Sequence, residues 1–95
     1  MRSVLHSDVI TAARVLFALD AAERPLMIAQ LVKQADCADR FTRRLGKPHP
    51  EWGNGTLGAA ARQYPLADEP GLSVPEYCAC LTLVLDGLVA HRNRH

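Results

Sequence analysis

Ser73–Arg92 reads SVPEYCACLTLVLDGLVAHR, and the fold class turns on this stretch. Ser73 and Glu76 have the S-x-x-E spacing of a capping box. Pro75 falls in the first turn, where its missing amide hydrogen is harmless, and Leu72 is placed to staple onto Tyr77. The spacing predicts a helix over about 74–92, with Val74, Tyr77, Cys78, Leu81, Val84, Leu85 and Leu88 on its core face. A second strip of Ala79, Cys80, Leu83, Gly87 and Ala90 leaves the rod apolar nearly all round. A helix of that kind needs a cover, supplied either by the rest of its own bundle or by another subunit.

Upstream, the same 3.6-residue period recurs. Ile28, Leu31, Ala35, Ala38, Thr42 and Leu45 form a stripe broadened by Val32 and Phe41, and Gly46 stands where a helix stop belongs. This predicts a long helix over 24–45, begun near Pro25 and ended by Arg43 and Arg44, whose charges suit the negative end of the dipole. Ser7 and Asp8 read as the start of a first helix over about 8–19, with Val9, Ile10, Ala13, Leu16 and Phe17 on one face. Three consecutive alanines within 56–64, closed by Pro65, predict a short third helix. Nothing alternates with period two for long enough to demand a strand. The expected architecture is all-α: residues 1–95 as one compact bundle of three longer helices and one short helix around Phe17, Leu31, Phe41, Trp52, Tyr77, Leu81 and Leu85.

Composition narrows the function classes. With 95 residues the chain has room for one small core, and 48% hydrophobic against 22% charged residues excludes a disordered tail. A core of this size is marginal alone and gains from association. The net charge of +1 lacks the basic excess that draws in phosphate backbones, so nucleic acid is disfavoured as a partner. Cys37, Cys78 and Cys80 are an odd count, and Cys78 and Cys80 point apart on a helix, which suits reduced thiols in a cytoplasm. The apolar run Val15–Leu19 is bracketed by Asp8, Arg14 and Asp20, and predicts neither a signal peptide nor a membrane span.

The most distinctive irregular stretch is KPHPEWGNG at 47–55. Prolines and glycines at that density forbid regular structure, and the glycines let backbone amides approach an anion. His49, Trp52, Gly53, Asn54, Gly55 and Thr56 are therefore a candidate ligand or partner loop, joined by Asp39, Arg43 and Arg62 if the loop folds back on the long helix. The plainer reading makes Trp52 a plug of the bundle and the glycines left-handed turns. No P-loop, G-x-G-x-x-G or G-x-S-x-G pattern accompanies the loop, so the pattern leans away from an enzyme and calls for no cofactor. The cysteines and histidines have no metal-ligand spacing, and no metal is expected. Cys37, between Lys33 and Arg40, is a candidate redox thiol tempered by Asp36. Arg40, Arg43, Arg44, Lys47 and His49 end one helix, while His91, Arg92, Arg94 and His95 end another; if the two ends meet they form a basic patch.

On VLHSDVITAARVLFAL (4–19), ADCADRFTRRLGKPHPEWGNGTLGAAA (35–61) and PEYCACLTLVLDGLV (75–89), the chain resembles a family of small uncharacterised alphaproteobacterial proteins. The resemblance carries no catalytic or binding residue with it. The expected function is a non-enzymatic protein-interaction module that self-associates, as a homodimer, through the strip from Ala79 to Ala90 or docks another protein. The alternatives are a nucleic-acid accessory protein using the basic helix ends, and a binder of small anions or metabolites, or an enzyme, at the Trp52 loop.

Overall fold

The carboxylate of Asp8 begins the fold. It accepts the Leu5 amide at 2.9 Å while Leu5 itself stays extended, and this turn opens α1 (His6–Phe17). Ser7, the expected cap, lies inside the helix instead. Asp8 is the better organiser because its second oxygen also accepts the Gly58 amide, 50 residues away, at 3.2 Å. A Cβ at Gly58 would overlap that oxygen, so only glycine lets the two segments approach.

The computed structural model describes residues 1–94. After α1, a 3₁₀ turn at Ala21–Glu23 leads into α2 (Arg24–Leu45), which Gly46 closes in left-handed backbone at φ +72°. Next comes α3 (Leu57–Ala61), whose N-cap Thr56 accepts the Ala59 amide through its hydroxyl at 3.1 Å. The last helix is α4 (Pro75–Arg94). No strand occurs among the described residues, and the fold is all-α, with three longer helices and one short one.

The core is built from Leu16, Leu31, Leu57, Tyr77 and Val84, filled in by alanines of α1, α2 and α3. Small side chains at so many buried positions let the helix axes draw close. Leu31 and Tyr77 occupy the interior, while Phe17 and Leu81 pack half-buried against it. The other expected core residues are elsewhere. Phe41 and Trp52 lie outside the core cluster, and Leu85 is 52% exposed.

On α4 the structure departs from expectation in three respects. First, Ser73 makes no hydrogen bond to the helix start among the described residues; the Tyr77 and Cys78 amides donate to the Val74 carbonyl, and Glu76 turns to Arg24 at 2.7 Å. Second, Cys80 rather than Cys78 is fully buried, and burial pushes its thiol up, which keeps it protonated. Cys78 is half-buried and donates to the Leu72 carbonyl at 3.1 Å. Third, the helix is not apolar on every side, because Thr82, Asp86 and Asn93 share one exposed line. Gly87 serves packing within the chain, since a Cβ there would come within 2.8 Å of Ile28 Cγ1 on α2.

Among the described residues, one polar atom in the core stands unpaired. The Tyr77 hydroxyl is buried with no hydrogen-bond partner among them, and burial, seconded by Glu69, holds its pKa above the ordinary tyrosine value. Its ring meets Phe17 edge-on at 5.7 Å. Tyr77→Phe keeps that contact and removes the orphaned group, so urea unfolding is expected to show a gain of about 1 kcal/mol. A loss of similar size would show that the hydroxyl has a partner in solution.

Candidate functional site

The 47–56 loop is held by its own side chains. His49 and Gly53 exchange two backbone hydrogen bonds of 2.8 and 3.1 Å, with Gly53 at φ +82°. Inside that turn, His49 Nδ1 accepts the Glu51 and Trp52 amides at 3.0 and 3.2 Å. The imidazole lies flat on Trp52, with ring centroids 4.6 Å apart and an interplanar angle of 5°, and Phe41 closes on it edge-wise at 4.9 Å. Asn54 Oδ1 accepts both the amide and the hydroxyl of Thr56, forming an Asx turn that leads into α3.

The expected convergence around this loop divides into separate places. No hydrogen bond or ion pair joins His49 to Asp39 among the described residues, because Nδ1 is already engaged within the loop. Arg62 is exposed, and its guanidinium lies near the Asp8–Gly58 contact. Asp39, Arg43 and Gly55 do come together. Asp39 is buried against the Gly55 backbone and pairs with Arg43 at 3.0 Å.

Asp39 belongs to a charged cluster that the sequence leaves largely hidden. The Met1 ammonium donates to Asp36 at 2.7 Å and lies 3.2 Å from Asp39. The Arg2 amide donates to the Gly55 carbonyl at 3.0 Å, and the Arg2 guanidinium stands 3.9 Å from Asp39. Arg40 pairs with Asp36 at 3.3 Å, and His91, from the far end of α4, reaches within 4.0 Å of the same carboxylate. Three stretches of chain thus meet over two carboxylates. Of the two basic helix ends, Arg40 and Arg43 of one and His91 and Arg92 of the other line a single cleft; His95 lies outside the described residues. The sequence signal for half of this was the Asp36–Arg40 and Asp39–Arg43 spacing. The N-terminal segment carried no such signal.

The Met1 ammonium holds the Asp36 carboxyl below its ordinary value of 3.8, with Arg40 and His91 adding to the effect. A lowered native pKa means that Asp36 contributes stability above pH 3.8, which is lost as pH falls through the native value. Asp36→Asn is therefore expected to lower the melting temperature at pH 7 by a few degrees, roughly 1 kcal/mol. The gap to wild type should close in acid. A gap that stays constant down to the acid limit would contradict this role.

The small-residue strip of α4 is divided too. Cys80 faces the core, whereas Leu83, Gly87 and Ala90 line a groove of about 820 Å³ between α4 and α2, opposite Leu26 and Ala29. Ala79 is exposed. On the other shoulder, Leu85 and Val89 are 52% and 59% exposed one turn apart. Sequence reading assigned Leu85 to the core and gave Val89 no role.

Cys37 is a half-buried free thiol, and of its two expected cationic neighbours, Lys33 and Arg40, the latter is occupied by Asp36. No group of three or more His, Cys, Asp or Glu side chains among the described residues is placed to hold a metal ion. No helix among them is long and apolar enough to cross a membrane.

No curated protein and no solved structure matches the chain. A family model does, over residues 2–88, which include the Asp36–Asp39 cluster, the 47–56 loop and α4 as far as Leu88. By that match the chain belongs to the DUF7742 family, a domain of unknown function.

Proposed function

We propose that the protein is a non-enzymatic interaction module that self-associates through the Leu85–Val89 shoulder of α4. The observation that supports this reading is the pair of branched apolar side chains, each more than half exposed and one helical turn apart. A two-fold axis crossing α4 near Gly87 would set Leu85 of one protomer against Val89 of its partner. The interface moves from the Ala79–Ala90 strip because Cys80 and Gly87 are spent on packing within the chain. Cys37, Cys78 and Cys80 are all free, which suits a reducing cytoplasmic setting.

One helix face makes a small interface, so the dimer is expected to be weak, in the micromolar range. Light scattering over a concentration series should show the mean mass rising from monomer towards dimer. Leu85→Asp places a charge on the ridge at an already exposed position, and is expected to hold the protein monomeric without loss of melting temperature. A wild-type mass that stays monomeric throughout the series would remove the reading.

A second reading concerns the 47–56 loop as a partner or small-anion site. Its support is weaker, since its glycines, Asn54 and His49 are each accounted for by bonds that shape the loop itself.

A further inference from the structure

We propose that the cleft between the N-terminal segment, α2 and the end of α4 binds a small amphiphile: an oxoanion head, phosphate or carboxylate, on a short apolar body. The cleft measures about 1060 Å³, ample for a metabolite-sized molecule, and its lining joins two chemistries. Arg2, Arg40, Arg43 and Arg92 supply cations, and Val4, Leu88 and Val89 supply apolar surface.

Charge favours an anion in this cleft. The whole chain is nearly neutral at +1, yet the cleft gathers four guanidiniums and the Met1 ammonium around only two carboxylates. Leaving the ammonium aside, the guanidiniums still outnumber the carboxylates by two. The existing ion pairs do not exhaust these donors. Arg40 and Arg43 each engage a carboxylate through one terminal nitrogen, of the five N–H groups a guanidinium offers. Arg2 is 3.9 Å from its carboxylate, and Arg92 has no ion pair among the described residues. Forked donors from three parts of the chain line this one cleft, and their geometry suits the planar oxygens of phosphate or carboxylate.

The apolar part of the lining selects the body attached to the head group. Val89 is 59% exposed and Leu88 half-buried beside it, so a short hydrocarbon laid along them would cover surface now facing water. Nucleic acid fits less well, because no Phe, Tyr or Trp among the described residues lines the cleft to stack on a base.

The test is a titration followed by backbone amide NMR, with hexyl phosphate as the probe and inorganic phosphate, hexanoate, hexanol and a single-stranded oligonucleotide as the other arms. Hexyl phosphate is expected to move the Arg2, Val89 and Arg92 amides saturably, and to bind at least ~10-fold tighter than inorganic phosphate or hexanol. Hexanoate against hexyl phosphate tells which oxoanion is preferred. Arg92→Ala, at an exposed residue with no ion pair to lose, should stay folded and weaken hexyl phosphate ~5-fold or more. Val89 also belongs to the proposed pairing surface, so the titration is repeated on the monomeric Leu85→Asp protein; binding there stands or falls independently of self-association. Four outcomes would each overturn the proposal: no saturable shift at these amides, hexanol binding as tightly as hexyl phosphate, an Arg92→Ala protein that binds unchanged, or an oligonucleotide that outcompetes the amphiphile.

Discussion

Gly55→Ala is expected to cost about 4 kcal/mol, the largest loss of any single methyl added to this chain. Gly55 has φ +99°, a conformation that side chains rarely adopt. A Cβ there would also meet Asp39 Cα at 2.6 Å and Asp39 Cβ at 2.7 Å. The obstruction is the α2 backbone, which cannot swing aside as a flexible side chain would, so the loop has to withdraw. Withdrawal pulls on the Arg2–Gly55 hydrogen bond and on the packing that buries Asp39. Gly46→Ala is the matching control, because Gly46 also has positive φ but, apart from its chain neighbours, no atom of the described residues lies within 4 Å of the added carbon. It should lose only about 1 kcal/mol. Urea midpoints at constant slope separate the two. Equal losses would show that backbone strain, and not the contact with Asp39, makes Gly55 necessary.

Arg24→Met comes second, with an expected loss of about 3 kcal/mol. The Arg24 side chain is only 7% exposed, and it sits where α1 ends. Its Nε donates to the Leu16 and Leu19 carbonyls at 2.7 and 3.1 Å, and a terminal nitrogen donates to Phe17 O at 3.4 Å and to Glu76 at 2.7 Å. One guanidinium thereby gathers the Leu16, Phe17 and Leu19 carbonyls, of which Leu16 also accepts the Leu19 amide at 3.0 Å, at the end where the dipole favours a cation. It also lies 6.0 Å from the centre of the Phe17 ring. Methionine keeps the apolar stem and takes the guanidinium donors away from the Phe17 and Leu19 carbonyls and from Glu76. Glu76→Gln is the contrast: Glu76 is 60% exposed, so its half of the ion pair should be worth less than about 1 kcal/mol. Thermal unfolding of the two variants reads the difference. If they melt together, the capping of α1 is not what Arg24 contributes.

Both residues show where sequence reading succeeds and where it stops. The all-α class was legible because its signals are local: a 3.6-residue stripe from Ile28 onward, Gly46 as a left-handed stop, and an N-terminal proline in α4. Arg24 was visible only as a neighbour of Pro25, since its acceptors lie on α1 and its partner on α4. Gly55 was legible as a turn residue and not as a close approach to α2. The outward face of α4 was misjudged for a different reason. Where Leu, Val, Ala and Cys recur at nearly every position, periodicity no longer identifies the buried side. Three-dimensional packing makes that choice by placing Tyr77, Cys80 and Val84 inward and leaving Leu85 and Val89 out.

The candidate sites divide along the same line. Asp39 and Arg43 were legible as an i,i+4 pair, and the two basic helix ends as separate runs. That Arg2 and Met1 would join them over Asp36 and Asp39 depends on where the N-terminal segment lies, which no spacing reports. His49 invited a chemical role because the loop could fold back on the long helix and set it beside the Asp39 carboxylate; its Nδ1 turns out to accept two amides of its own loop.

Self-association through α4 is tested most directly by isotope-filtered NMR on an equal mixture of ¹³C-labelled and unlabelled protein at high concentration. Cross-peaks are expected between the Leu85 methyls of one protomer and the Val89 methyls of its partner, and none in the Leu85→Asp protein. A filtered spectrum with no intermolecular peak at either residue, or with peaks confined to another face, would contradict pairing through this ridge.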